Sequence, residues 1–179
     1  MFATDNNGVI VQLPLLPATG VSSALGYLIF GIGTATNNAL DSAYVVPVNS
    51  MGRFTTRYNR VDRTDSFIDS GSNGLFFEDN SLLGSCASGN IGFFCPTVAR
   101  PLSASIQLEG NVTAVLNFSV ANSDALFQSG HYAFSNLGGT LSAGSFDWGL
   151  PFFFGRSVYT AIEGKPVGNR VGPFYAFTN

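Results

Sequence analysis

At 179 residues the chain has the length of one ordinary domain and enough mass to bury a core. Only 11 % of it is charged and the formal net charge is -3. Its densest run of arginines (Arg53, Arg57, Arg60, Arg63) is interrupted by Asp62 and Asp65, so it reads as a solvated face and not as a basic nucleic-acid surface.

Strand-like patterns dominate in chain order. "GVIVQLPLL" (8–16) alternates apolar and polar residues before meeting prolines, and "ALGYLIFGIG" (24–33) predicts a buried strand ending in glycines. "SAYVVPV" (42–48) and "GRFTTRYN" (52–59) predict a pair joined by the turn Asn49–Gly52. "SFIDSG" predicts a strand running into a turn at Asp69. "SASIQLEG" and "TAVLNFSV" flank Gly110-Asn111, a strong hairpin signal. "RSVYTAIEG" and "VGPFYAFT" flank "KPVGNR" as a last hairpin. Only "LPFFFGR" and "SDALFQS" invite short helices, the second with Asp124 contributing to its N-cap. The expected class is all-β, a barrel or stacked sheets with one or two short helices, in a single unit over 1–179.

Cys86 and Cys95 flank eight residues. That spacing allows a small disulfide loop or two free thiols, and the loop-like sequence between them favours the bridge. A bridge, the single lysine (Lys165) and the many Asn, Ser, Thr and Gly point to an exported protein: periplasmic, secreted or envelope-associated. No signal peptide is legible in "MFATDNNG", and no apolar run reaches the roughly 18 residues of a membrane helix. With one histidine, His131, and two cysteines, no structural zinc is expected, and no cofactor motif stands out.

Several motifs fail on inspection. "GIGTAT" (31–36) lacks the third glycine and the amphipathic helix of a dinucleotide loop. "SGSNG" (70–74) has Ser70 where a nucleophile elbow needs glycine, and nothing around His131 suggests a triad. "NVT" and "NFS", beginning at Asn111 and Asn117, fit the glycosylation pattern, which matters only in a eukaryotic secretory route.

One carboxylate stands out. Asp69 follows the apolar pair Phe67-Ile68 and precedes Ser70-Gly71-Ser72, and an acid in an apolar run is costly unless hydrogen-bonded. Read alone, this is a turn aspartate capping its own loop. "DSG" at 69–71 also resembles the active-site loop of pepsin-like aspartic peptidases, and the neighbourhood extends the likeness. "GYLIFGIG" (26–33), "AYVVPV" (43–48), "GRFTTRYN" and "FIDSGSNGLFF" keep the strand order of a pepsin-like C-terminal lobe. "FDWGLPFFFGRSVYTAIEGKPVGNRVGPFYAF" (146–177) resembles its ending, with Gly149 as the glycine after an apolar pair. Two departures are Asp147, which breaks that pair, and Pro151, where the short helix begins. "DSGSNG" together with "FDWGLPFFFGR" is similar to an uncharacterised bacterial family of exported pepsin-like proteins.

The resemblance implies one lobe of a bilobal barrel fold, with Asp69 as catalytic and Ser70, Gly71 and Ser72 shaping its loop. Such chemistry needs two carboxylates sharing a proton across a water, and the sequence holds a single D-[ST]-G. The implied partner is therefore an absent N-terminal lobe in cis or a second copy in a homodimer, with a peptide or protein substrate. The chain is then an aspartic endopeptidase only when paired. The alternative is a non-catalytic binding or structural module of the cell envelope on the same fold.

Overall fold

The computed structural model describes residues 2–79, 83–87 and 89–178. It is mostly β-sheet with few short helices. The first sheet is built from β1 (Gly8–Gln12), β2 (Tyr27–Phe30), β3 (Tyr44–Pro47), β11 (Ser157–Ala161) and β14 (Phe174–Phe177), in the order β2-β1-β11-β14-β3. All its pairings are antiparallel. The second contains β4 (Phe54–Tyr58), β5 (Val61–Ile68), β6 (Leu75–Phe77), β7 (Arg100–Gln107), β8 (Thr113–Val120), β9 (Gly138–Gly139) and β10 (Phe146–Trp148). Its order is β8-β7-β4-β5-β10-β6-β9. A small ladder, β12 (Pro166–Val167) with β13 (Arg170–Val171), completes the strands.

The first sheet is covered on both faces. Val46, Val158 and Phe177 join the main core with Phe54, Tyr58, Phe77, Phe146 and Trp148 from the second sheet. Val45, Tyr159 and Ala176, their neighbours in sequence, point the other way and pack with Ile10, Ile32 and Val167. Side chains alternate across a strand, so a strand buried on both faces must be apolar at consecutive positions. That is why "YVV" and "FYAF" read as continuous runs. The centre of the main core is aromatic: Phe146 stacks on Phe77 at 4.7 Å and on Trp148 at 4.4 Å.

The Gly110-Asn111 signal forms its hairpin. Both residues have positive φ, 76° and 61°, between β7 and β8, which pair from Arg100↔Val120 to Gln107↔Thr113. The last hairpin also forms, β11 against β14, with β12 and β13 as its extended tip. Both short helices are present, α1 (Ser123–Gln128) and α2 (Leu150–Phe153).

Three expectations are corrected. The Asn49–Gly52 turn exists, closed by the Gly52 N–H on the Asn49 carbonyl at 2.9 Å. However, it joins strands of different sheets: β3 pairs with β14, and β4 with β5 and β7. A turn signal says where the chain reverses and not which strand the next one meets. Residues 24–33 are not a buried strand either. β2 is an edge, with Tyr27 70 % and Leu28 58 % exposed. Finally, Asn122 caps α1, accepting from the Ala125 N–H at 3.0 Å. Asp124 lies inside the first turn and accepts from Asn90 at 2.6 Å.

Candidate active site

β5 stops at Ile68 because the next residues trade ladder bonds for a closed loop. The Asp69 N–H donates to the Trp148 carbonyl at 3.2 Å, which keeps the loop in register with β10. The Gly71 N–H donates to Asp69 Oδ1 at 2.8 Å, and the Ser72 hydroxyl donates to Oδ2 at 3.3 Å. The Ser72 N–H returns to the Asp69 carbonyl at 3.3 Å. Both carboxylate oxygens thus have donors from their own turn, which fixes the orientation of an exposed acid. A Cβ at Gly71 would stand 3.1 Å from Asp69 Oδ1, so glycine is what lets the backbone close on the carboxylate. Ser70 is exposed beside it.

A second segment locks onto this loop. The Leu150 N–H donates to the Ser72 carbonyl at 2.7 Å. Gly149, the N-cap of α2, lies so close that an added Cβ would be 2.1 Å from the Gly74 carbonyl oxygen. Pro151 sits in the first turn of α2, where its missing N–H costs nothing.

The buried acid of this site is Asp147, not Asp69. β10 pairs in parallel with β5, setting Asp147 opposite Phe67, and antiparallel with β6, setting it opposite Phe76. Phe146 and Trp148 point into the aromatic core, so strand alternation sends Asp147 to the opposite face, toward Ser72 and Asp69. The residue is 4 % exposed and its Oδ1 has no hydrogen-bond partner. Burial pushes its carboxyl up from the ordinary 3.8 to about 6. The polar Ser72 side chain nearby draws it down, the Asp69 charge adds to the rise, and Arg53 opposes it. Arg53 itself is engaged elsewhere: it lies over the Phe67 ring at 4.2 Å and contacts Asp65 at 3.3 Å. Burial also raises the phenol of Tyr175, which feels both Arg53 and Asp69.

The sequence did carry a signal for Asp147. It is an acid flanked by two large aromatics in a short strand, the same anomaly that drew attention to Asp69.

A cavity of about 250 Å³ opens beside the loop, lined by Asn73, Phe127, His131, Tyr132, Phe134 and Leu150 among others. Its walls are mostly apolar. His131 stands at this cavity with Nδ1 at 2.9 Å from the Thr19 carbonyl, so that nitrogen carries the proton. Elsewhere, Cys86 and Cys95 are joined in a disulfide with Cα atoms 4.8 Å apart. Their sulfurs lie near Asp124, but a bridged pair offers no thiolate to a metal. A further buried polar pair, Tyr58 and Asp79, lies in the core, and Arg63 donates to Glu78 at 2.7 Å. No helix among the described residues is long and apolar enough to cross a membrane.

The chain belongs to the family described as protein of unknown function (DUF3443), whose profile matches residues 1–177. No curated protein matches it.

Proposed function

We propose that this chain is one lobe of a pepsin-like aspartic peptidase fold, with Asp69 as the catalytic carboxylate of a two-aspartate site. The observation that carries this reading is the Asp69 loop. An exposed carboxylate receives the Gly71 N–H at 2.8 Å and the Ser72 hydroxyl at 3.3 Å, and Gly149 is pressed against Ser72 and Gly74 from the neighbouring segment. An ordinary capping aspartate needs the first contacts but not the second segment. The two-layer core of mainly antiparallel strands supports the same reading.

In this chemistry one carboxylate takes a proton from water as it attacks the peptide carbonyl. A protonated carboxyl gives its proton to the carbonyl oxygen. The facing carboxyl comes from another lobe in cis or from a second copy. The apolar cavity at Asn73 and Leu150 would take an apolar side chain of an extended peptide. An oxidising compartment of a bacterial envelope suits the Cys86–Cys95 bridge.

A second reading is kept by one observation, the single Asp-Ser-Gly in 179 residues. On that reading the lobe is a binding module of the envelope without catalysis. The full-length gene product, assayed for peptide cleavage at acidic pH with Asp69→Asn as control, separates them. Cleavage that the substitution abolishes supports the peptidase. Cleavage that survives it, or none under any acidic condition, removes that assignment.

A further inference from the structure

We propose that the cavity between β8 and α2 binds an amphipathic monocarboxylate, with Arg156 holding the acid and the apolar lining holding the body. The cavity measures about 470 Å³, within the size range of small-molecule sites. Leu116, Trp148 and Phe152 in its lining belong to the main core and are almost inaccessible, whereas Leu15 and Phe118 reach solvent. It therefore has an apolar floor and an open rim. It shares no lining residue with the cavity beside the Asp69 loop, so the proposal does not depend on the reading of Asp69.

Arg156 is the one charged residue of this lining. Two contacts fix its guanidinium. Nη1 donates to the Phe152 carbonyl at 2.9 Å, and the group lies over the Phe152 ring, 4.9 Å from the centroid. Neither contact brings a negative charge. Nε is buried without an acceptor. The other arginines are placed differently. Arg53, Arg57, Arg63 and Arg170 each contact a carboxylate, and Arg60 and Arg100 are exposed to water. Among the described residues, Arg156 is thus the one half-buried arginine with no counter-ion. Burial alone lowers its guanidinium from the ordinary value, with no neighbouring charge contributing. Arginine keeps its proton even so, and a cation withdrawn from water without a partner is costly.

That cost selects the ligand. One unmet positive charge calls for one negative charge, and a planar guanidinium matches a carboxylate through paired hydrogen bonds. The remaining polar side chains of the lining, Asn117, Ser119 and Ser135, are neutral, so a second negative charge would find no cation. Everything else in the lining is apolar or glycine, which suits a hydrocarbon body. A medium-chain fatty acid has this chemistry.

The protein carries its own reporter, because Trp148 is its sole tryptophan and lines the cavity. The probe is decanoate, titrated near neutral pH into the 179-residue chain and into the full-length gene product, with decanol as the uncharged match. Decanoate should change Trp148 emission saturably in both proteins. It should bind more tightly than decanol by about 10- to 100-fold, the size of one charge-assisted interaction. Arg156→Met should bring decanoate down to the level of decanol and leave decanol unchanged. The native protein tests the same point without a substitution: below the ordinary carboxyl range decanoic acid is neutral, and its advantage should vanish. No saturable response overturns the proposal, as does equal binding of decanoate and decanol at neutral pH. A preference that survives Arg156→Met or acidification overturns it too. So does a response of the 179-residue chain that the full-length product lacks, since the rest of the protein would then fill the cavity.

Discussion

The Asp69 N–H donates to the Trp148 carbonyl at 3.2 Å, which continues the β5–β10 pairing and sets the exposed acid beside the strand that carries Asp147. The loop is thus part of the sheet and not an appendage to it.

The first prediction concerns stability against pH. The folded Asp147 carboxyl titrates at about 6 and the unfolded one at 3.8. Below 3.8 both states are protonated and the group costs nothing. Between the two values the unfolded chain releases the proton first, so stability falls as pH rises. Above 6 the loss is complete, about 3 kcal/mol from the size of the shift. Asp147→Asn removes this dependence. Urea unfolding at pH 3.5 and 7.5 should show the variant gaining on the native chain by up to that amount between the two. An equal difference at both pH values would mean that the carboxyl is not held protonated.

The second prediction concerns Gly149. A Cβ there meets the Gly74 carbonyl at 2.1 Å and the Ser72 carbonyl at 2.7 Å, both backbone atoms that no rotamer change can move. Gly149→Ala should therefore exceed the ordinary range of about 0.5–3 kcal/mol for a point substitution. It should also loosen the Asp69 loop. Amide exchange at Ser72, whose N–H bonds Asp69, reads the second effect directly. A near-neutral Gly149→Ala would show that residues 72–74 and 149 are not pressed together.

Much of the fold was legible in the sequence because its turns are local. Gly110-Asn111 needs positive φ at two adjacent residues, and that chemistry announces a hairpin whatever lies around it. Sheet membership was not legible. Nothing within residues 42–59 tells β3 to meet β14 rather than β4, since that choice is made by partners more than a hundred residues away. β2 misled for a related reason: "YLIF" is as apolar as a core strand, yet it lies at an edge. The Asp69 loop could be read from its motif. The burial of Asp147 could not, because it depends on β10 lying between β5 and β6. Phe146 and Trp148 mark Asp147 as anomalous, but nothing in them says that β10 lies in parallel beside β5.

The third prediction tests the aromatic centre. Phe146 is 0 % exposed, stacked at 4.7 Å on Phe77 and at 4.4 Å on Trp148. Phe146→Ala removes both contacts and leaves a void in the strand that carries Asp147. The expected cost is about 3–5 kcal/mol. Phe146→Leu, which refills most of the volume, should recover the larger part. Chemical denaturation of the pair checks this, and equal losses would show that ring stacking outweighs simple space filling.

The last prediction concerns the covalent tie. Cys86 and Cys95 close a loop of sequence separation 9, and the two ends are also joined by backbone bonds. The Cys86 N–H donates to the Phe93 carbonyl at 3.0 Å, and the Cys95 N–H reaches the Gly84 carbonyl. Closing so short a loop removes little freedom from the unfolded chain, about 2.5 kcal/mol by the chain-entropy account. The double variant Cys86→Ser, Cys95→Ser should lose that much and still fold, because Phe94 between them remains fully buried in the main core. Reductant should lower the unfolding midpoint of the native chain and leave the double variant unchanged. A native chain indifferent to reductant would mean that the two thiols are not bridged, and the argument for an oxidising compartment would fall with the bridge.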